Sequence, residues 1–291
     1  EAKRPDFSIL QRHYPRAAQE ELARRFAQEM CFDFEAGRLD VSVHPFCASM
    51  GGGDVRITTR YDEGFLSPAL FGTLHETGHA LYEQGLDPAH RFTPMGEATS
   101  LGIHESQSRL WENMVGRSKP FWQFHYAGAQ EMFPDALGNV PLETFWKAIN
   151  KVSPSLIRVE ADEVTYNLHI IMRFELERAL ISGSLSVEDL PDAWSAKSKE
   201  FLGVTPPDDA SGCLQDIHWS LGGFGYFPTY TLGNLYAAQL FEKASTDMSN
   251  LEAQFARGEM LPLREWLREH IHQHGMRFRA NELCKRITGK N

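Results

Sequence analysis

The chain lacks any apolar run approaching the roughly 20 residues of a membrane span, and no basic, apolar, small-residue signal sequence opens it. A membrane is therefore not an expected partner. Positive charge is also in short supply, with 29 Lys and Arg against 39 Asp and Glu and a formal net charge of −10. Nucleic acids and anionic lipid surfaces attract basic proteins, so no nucleic acid is expected either. There are only four cysteines, Cys31, Cys47, Cys213 and Cys284. They are too scattered for the paired CxxC of a structural zinc site and too few for a disulfide scaffold, which fits a reducing cytoplasm. Gly51-Gly52-Gly53 is followed by neither a P-loop Gly-Lys-Ser/Thr nor a GxGxxG pattern, so it is not a nucleotide cradle. Low-complexity tracts and internal repeats are missing too. The first residue is Glu1 rather than Met, so an upstream segment is expected.

What is present is mostly helical periodicity. Apolar residues recur at helical spacing over about 15–30, 142–152, 163–181 and 234–256, as with Ala17, Leu22, Phe26 and Met30 in the first stretch. One interval breaks the pattern. Val41-Ser42-Val43 and Asp54-Val55-Arg56-Ile57-Thr58-Thr59 flank the glycine run and predict a small antiparallel ribbon. The fold class is mainly α with one short β ribbon.

The most informative stretch is His75-Glu76-Thr77-Gly78-His79. Histidines four apart share one face of a helix and can converge on one metal ion, while the intervening glutamate stays free as a general base. Ser67-Pro68 reads as a helix start and Gly85 as a stop, so the motif lies in mid-helix. Gly78 costs that helix about 1 kcal/mol relative to alanine and predicts a close neighbour at that turn. A catalytic zinc site takes three protein ligands and leaves one position open. The metzincin continuation is absent, because Tyr82 stands where its glycine belongs and Gly85 where its third histidine belongs. Glu105, at 105 − 79 = 26 residues beyond His79, is the first candidate for third ligand. That spacing lets one helix end, a loop turn at Pro94 and Gly96, and a second helix return. His104 and Glu97 are the rivals.

The two metal motifs, His75 to His79 and His104-Glu105-Ser106-Gln107, resemble those of the carboxypeptidase Taq family of metallocarboxypeptidases. Four more matches follow its motif set: His44-Pro45-Phe46, Asp54-Val55-Arg56-Ile57-Thr58, Ile157-Arg158-Val159-Glu160-Ala161-Asp162 and Gly212-Cys213-Leu214-Gln215-Asp216-Ile217-His218-Trp219. The resemblance runs over essentially the whole chain but only over the later part of a typical member, whose further helical region would precede Glu1. It implies a helical fold similar to the neurolysin and angiotensin-converting-enzyme group, with residues 1–291 as a single catalytic domain. It further implies removal of single residues from peptides with a free C-terminus, a divalent metal that is Zn2+ or Co2+, and a homodimer.

On that resemblance the metal ligands are His75, His79 and Glu105, and Glu76 is the general acid/base. The segment from His218 to Tyr230 supplies an imidazole and two phenols on a glycine-rich backbone. By likeness to related peptidases, His218 and either Tyr226 or Tyr230 donate to the oxyanion of the attacked carbonyl. An exopeptidase must also bind a terminal carboxylate, which suits the bidentate fork of arginine. Arg158 is the first candidate and Arg56 the second, against the plainer reading of Arg158 as an intrachain bridge, for instance to Asp162. Asp54 and Asp162 read as structural anchors, and Thr58 as helping the ribbon present its backbone to an extended peptide. His270, His272 and His274 read as a solvent-facing histidine-rich helix, and Phe121, Trp122, Phe124 and Tyr126 as helix packing. The alternatives to the carboxypeptidase are an endopeptidase or oligopeptidase with the same centre, or an inactive helical interaction module.

Overall fold

The computed structural model describes residues 5–290. The chain divides into two compact units, one from residues 1–149 with 233–291 and the other from 150–232.

The first unit opens with helix α1 (Arg16–Glu29), whose Leu22, Ala23, Phe26 and Ala27 form the buried stripe that the apolar spacing predicts. Strands β1 (Gly37–Val41), β2 (Cys47–Ser49) and β3 (Val55–Thr59) follow, in the order β1-β3-β2. The expected antiparallel ribbon exists between β2 and β3, with Cys47 opposite Ile57. The run around Val41, however, pairs with β3 in parallel, Val41 opposite Thr59. The chain reverses twice between β1 and β3, once over 42–46 and once at Gly51-Gly52-Gly53, so the two strands end up running the same way. All three of those glycines have positive φ, which the turn requires.

Helix α2 (Leu66–Gly85) is the spine of this unit and packs on α1, β3 and helix α3 (Leu101–Arg109). Thirteen of its 20 residues are buried, so it shows little amphipathic contrast, as expected of a helix enclosed on most sides. It begins two residues earlier than an N-cap at Ser67 predicts, at Leu66 after Phe65, with no side-chain cap, and ends at Gly85 as expected. Two short 3-10 turns, Pro88–His90 and Pro94–Gly96, carry the chain round to α3. There the Ser100 hydroxyl accepts from the Ile103 N–H at 3.0 Å. The next turn, Leu110–Val115, is π-helical.

Helices α4 (Lys119–Met132), α5 (Pro134–Leu137) and α6 (Leu142–Ile149) complete the first stretch of the unit. Phe121, Trp122 and Tyr126 of α4 are buried, as packing residues should be, whereas Phe124, expected with them, is exposed. The predicted 234–256 helix is two helices, α9 (Pro228–Asp247) and α10 (Leu251–Phe255). After α11 (Leu261–His270) the predicted histidine-rich helix gives way to a 3-10 segment, His272–Arg277, before α12 (Ala280–Thr288). His272 does not face solvent there. It is 1% exposed, and its Nε2 lies 2.8 Å from Gln107 Oε1. α11 has already ended at His270, and Gly275, at φ 47 and ψ −136, kinks the 3-10 segment that follows.

The second unit is built on α7 (Glu163–Ser182) and α8 (Leu190–Leu202), followed by irregular chain to Phe227. Asp162 caps α7, accepting from the Val164 and Thr165 N–H groups at 3.0 and 2.9 Å. Trp219 packs against both of its small cores, Met172-Leu176-Trp194-Cys213 and Tyr166-Ile170-Phe227.

Candidate metal centre

His75 and His79 project from α2 one turn apart, with ring centroids 4.9 Å from each other. α3 brings Glu105 to meet them. Glu105 Oε2 lies 3.6 Å from His75 Nε2 and 3.3 Å from His79 Nε2. Ligands on a tetrahedral zinc at ordinary bond lengths are about 3.3 Å apart, so Glu105 Oε2 already stands near ligand-to-ligand distance from both imidazole nitrogens. Among the described residues this is the one group of three or more His, Cys, Asp or Glu whose ligand atoms lie within 4.8 Å of one another. The rivals are elsewhere: Glu97 is exposed, and His104 turns its Nδ1 to His79 Nδ1 at 2.6 Å.

Two glycines permit this convergence. A β-carbon on Gly78 would lie 2.7 Å from both the Gln107 carbonyl oxygen and the Ser108 Cα, so α2 and α3 meet backbone to backbone at the turn between the two histidines. A β-carbon on Gly233 of α9 would lie 2.4 Å from Glu105 Cγ. The close neighbour predicted from Gly78 is therefore α3 itself.

A layer of charge holds the three residues. His75 Nδ1 donates to Glu112 Oε2 at 2.9 Å. Arg109 donates to Glu105 Oε1 at 2.7 Å and to Glu112 Oε2 at 3.2 Å, and Arg117 reaches Glu112 Oε1 at 3.4 Å. Burial alone would raise both carboxyls. Arg109 and the histidines overcome it, holding Glu105 well below the usual range and Glu112 down at about 2. Loss of water around His79, with the His104 and His75 rings, outweighs Glu105 and lowers it to about 3, so it is neutral, the state a metal needs. Burial would also lower His75, but Glu105 and Glu112 outweigh it and raise that ring.

Glu76 is 7% exposed and outside this ligand group. Burial pushes its carboxyl up to about 7, against the neighbouring His75. A carboxyl that gains and loses a proton near neutrality suits general acid/base work.

The other predicted residues lie in the second unit or on the sheet. Arg158 is 4% exposed and donates to Asp216 Oδ1 from Nε at 3.0 Å and from Nη2 at 2.6 Å. Its bridge is thus to Asp216, because Asp162 is committed to capping α7. Arg173 donates to the other oxygen of Asp216 at 2.7 Å, so two buried guanidiniums share one carboxylate. Burial would raise Asp216, but Arg158 and Arg173 hold it below its ordinary value of 3.8. His218 Nε2 lies 3.0 Å from the Tyr230 hydroxyl, and its ring centroid is 5.3 Å from that of Tyr226. The Arg158 guanidinium sits 4.9 Å from the centre of the Tyr230 ring. Arg158, His218, Tyr226 and Tyr230 are therefore one neighbourhood. Arg56, by contrast, is half-exposed on β3 and paired with Asp54 at 2.8 Å. Thr58 accepts the Phe46 N–H at 3.0 Å.

Sequence reasoning missed Glu112, Glu83, Arg109 and Glu177. Glu105 and Glu112 are seven apart, a spacing that shares a helix face and could have suggested the pair. Glu177 accepts from Trp219 Nε1 at 2.9 Å and the Gly225 N–H at 3.1 Å, pinning the segment that carries His218 and Tyr226. No local pattern announces it.

Known proteins share this architecture. The chain is 59% identical over 292 residues to thermostable carboxypeptidase 1 of Thermus thermophilus, covering 99% of this chain and 56% of that one. It is 49% identical to carboxypeptidase 1 of Bacillus subtilis, covering 99% of this chain and 57% of that one. The crystal structure of the M32 carboxypeptidase from Deinococcus radiodurans matches at a TM-score of 0.96 and 47% identity, over 99% of this chain and 58% of that one. The chain thus spans a little over half the length of these relatives. The family model for the carboxypeptidase Taq (M32) metallopeptidases matches residues 1–291, and the chain belongs to that family.

Proposed function

We propose that this chain carries the catalytic centre of a metal-dependent carboxypeptidase that removes residues from the free C-terminus of peptides. The observation that carries the proposal is the convergence of His75 Nε2 and His79 Nε2 on Glu105 Oε2, with a buried, protonatable Glu76 beside them. His75, His79 and Glu105 hold one divalent metal, with Zn2+ first and Co2+ second on the borderline softness of two imidazoles and a carboxylate. When bound, the metal supplies Lewis acidity, lowering the pKa of a water and polarising the scissile carbonyl. Glu76 takes the proton of the attacking water and returns it to the leaving amine. His218 with Tyr226 or Tyr230 donates to the developing oxyanion.

Arg158 is proposed to bind the terminal carboxylate, with Arg56 the second choice. Arg158 and Arg173 share the single carboxylate of Asp216, which supports this. The relatives' names as carboxypeptidases support cleavage at a chain end. The cytoplasm fits four free thiols, and a homodimer is the expected assembly, to be measured by sedimentation.

The test is a peptide offered with a free and with an amidated C-terminus, with products separated by chromatography. Release of a free amino acid from the first alone supports the proposal, whereas internal cleavage of the amidated peptide replaces it with an endopeptidase. A titration finding no zinc bound would leave the helical interaction module.

A further inference from the structure

The Nδ1 atoms of His79 and His104 are 2.6 Å apart, and the other nitrogen of His104, Nε2, lies 2.9 Å from Glu83 Oε1. Two ring nitrogens at that distance need one hydrogen between them, so one ring is protonated at Nδ1 and the other is bare there. The direction follows from the ligand reading and the geometry. A neutral ring that offers its Nε2 lone pair to a metal carries its hydrogen on Nδ1, so with His79 as a ligand the shared hydrogen belongs to His79 Nδ1. His104 then accepts at Nδ1 and turns its Nε2–H to Glu83 Oε1. His79 is then left with its lone pair on Nε2, the atom that faces Glu105 Oε2 at 3.3 Å. The opposite direction would leave His79 without a lone pair for a metal, since its Nδ1 would be accepting and its Nε2 would carry hydrogen.

We infer that Glu83 and His104 form an orienting chain that fixes the tautomer of His79 and thereby makes it a metal ligand, as Glu112 does in a single step for His75. This rests on the reading of His75, His79 and Glu105 as the ligand set. His104 is a positioning residue, acting through His79. The sequence places the chain economically. Glu83 is four residues beyond His79 on α2 and shares its helix face, while His104 arrives from α3, next to the ligand Glu105. The fully buried Tyr82 ring, with its centroid 5.2 Å from that of His104, holds the imidazole from one side. The two histidine ligands are consequently unequal. The acceptor behind His75 is a carboxylate, whereas the one behind His79 is a neutral ring and so a weaker aid to ligand basicity.

The test measures Zn2+ affinity by competition with a chromophoric chelator, together with the visible absorption of the Co2+-loaded protein. It compares the wild-type chain with His104→Phe, His104→Asn, Glu83→Leu and His75→Ala. His104→Phe keeps ring volume and removes the acceptor, and should weaken Zn2+ binding about 10- to 100-fold and shift the Co2+ bands. His104→Asn places an oxygen acceptor near the old Nδ1 position and should restore affinity to within about threefold of wild type and the wild-type spectrum. Glu83→Leu lies at the partly exposed end of the chain, where folding is at little risk, and should weaken binding by about tenfold. Wild-type affinity and spectrum in His104→Phe or Glu83→Leu would overturn the inference while leaving the metal centre intact. Equal losses in His104→Phe and His104→Asn would also overturn it, because packing alone would then be at stake. Zinc binding unaffected by His75→Ala would overturn the metal centre itself.

Discussion

Gly78 of α2 faces Ser108 of α3 so closely that a β-carbon at position 78 would stand 2.7 Å from the Ser108 Cα. The two helices that carry the ligand set touch at this point. Gly78→Ala should gain about 1 kcal/mol of helix propensity and lose about 1–3 kcal/mol to overpacking against backbone that has nowhere to go. The expected outcome is a net loss of stability of up to about 2 kcal/mol in urea denaturation, with weaker zinc binding as Glu105 is pushed away. Unchanged stability and affinity would mean that the helices separate freely there.

Glu76 and Glu105 should separate cleanly under mutation. Glu76→Gln is expected to keep the metal and to lose about 10²- to 10⁴-fold in turnover, since Glu76 lies outside the ligand group. Glu105→Ala should lose the metal first. Metal content by atomic absorption, beside turnover of an unblocked peptide, distinguishes the two.

Asp216 is the carboxylate shared by two guanidiniums that are 4% and 0% exposed. Asp216→Ala would leave Arg158 and Arg173 buried without a carboxylate and should cost about 3–5 kcal/mol, read from urea denaturation of the metal-loaded protein. A loss under 1 kcal/mol would indicate that water or another group takes over the pair.

His169 is 1% exposed, with Nδ1 3.5 Å from the Arg173 guanidinium. Burial, then Arg173 and Arg158, lower it to about 4, against the opposing pull of Asp216 and Asp162. The unfolded chain therefore takes up this proton first as the pH falls. The His169 contribution is fully present above pH 6.5 and is lost between there and about 4, at up to about 1.4 kcal/mol per pH unit. Buried His125 and His272 add slopes of the same sign, so the informative quantity is a difference. His169→Gln should flatten the fall between pH 6.5 and 4 relative to wild type, in urea midpoints taken across that range. An identical slope would place the proton elsewhere.

The legible parts of this molecule are those written within one helix or one turn. The four-residue spacing of His75 and His79, the close approach at Gly78 and the packing face of α4 follow from α-helical geometry alone. Glu105 could be chosen because a chain of 26 residues has few ways to return to His79. Glu112 and the His79–His104–Glu83 chain stayed hidden because they depend on how α2 and α3 pack. The parallel pairing of β1 with β3 needed two reversals to be counted, and the histidine cluster misled because α11 ends at His270, so His272 is not held on a solvent-facing helix. Arg158 was read against the wrong aspartate, since nothing local says that Asp162 is occupied as a cap while Asp216, 58 positions away, is the partner.

The π-helical turn at Leu110–Val115 makes the number of residues, and not only their kind, part of the design. A π turn holds more chain per revolution than an α turn. Deleting one residue ahead of Glu112 would change the rotation of that carboxylate about the axis relative to Glu105 and Arg109, and with it the aim at His75 Nδ1. Every amino acid needed at the centre would still be encoded. One residue gained or lost along this segment would therefore change how His75 meets its carboxylate while leaving His75, His79, Glu105 and Glu112 themselves unaltered.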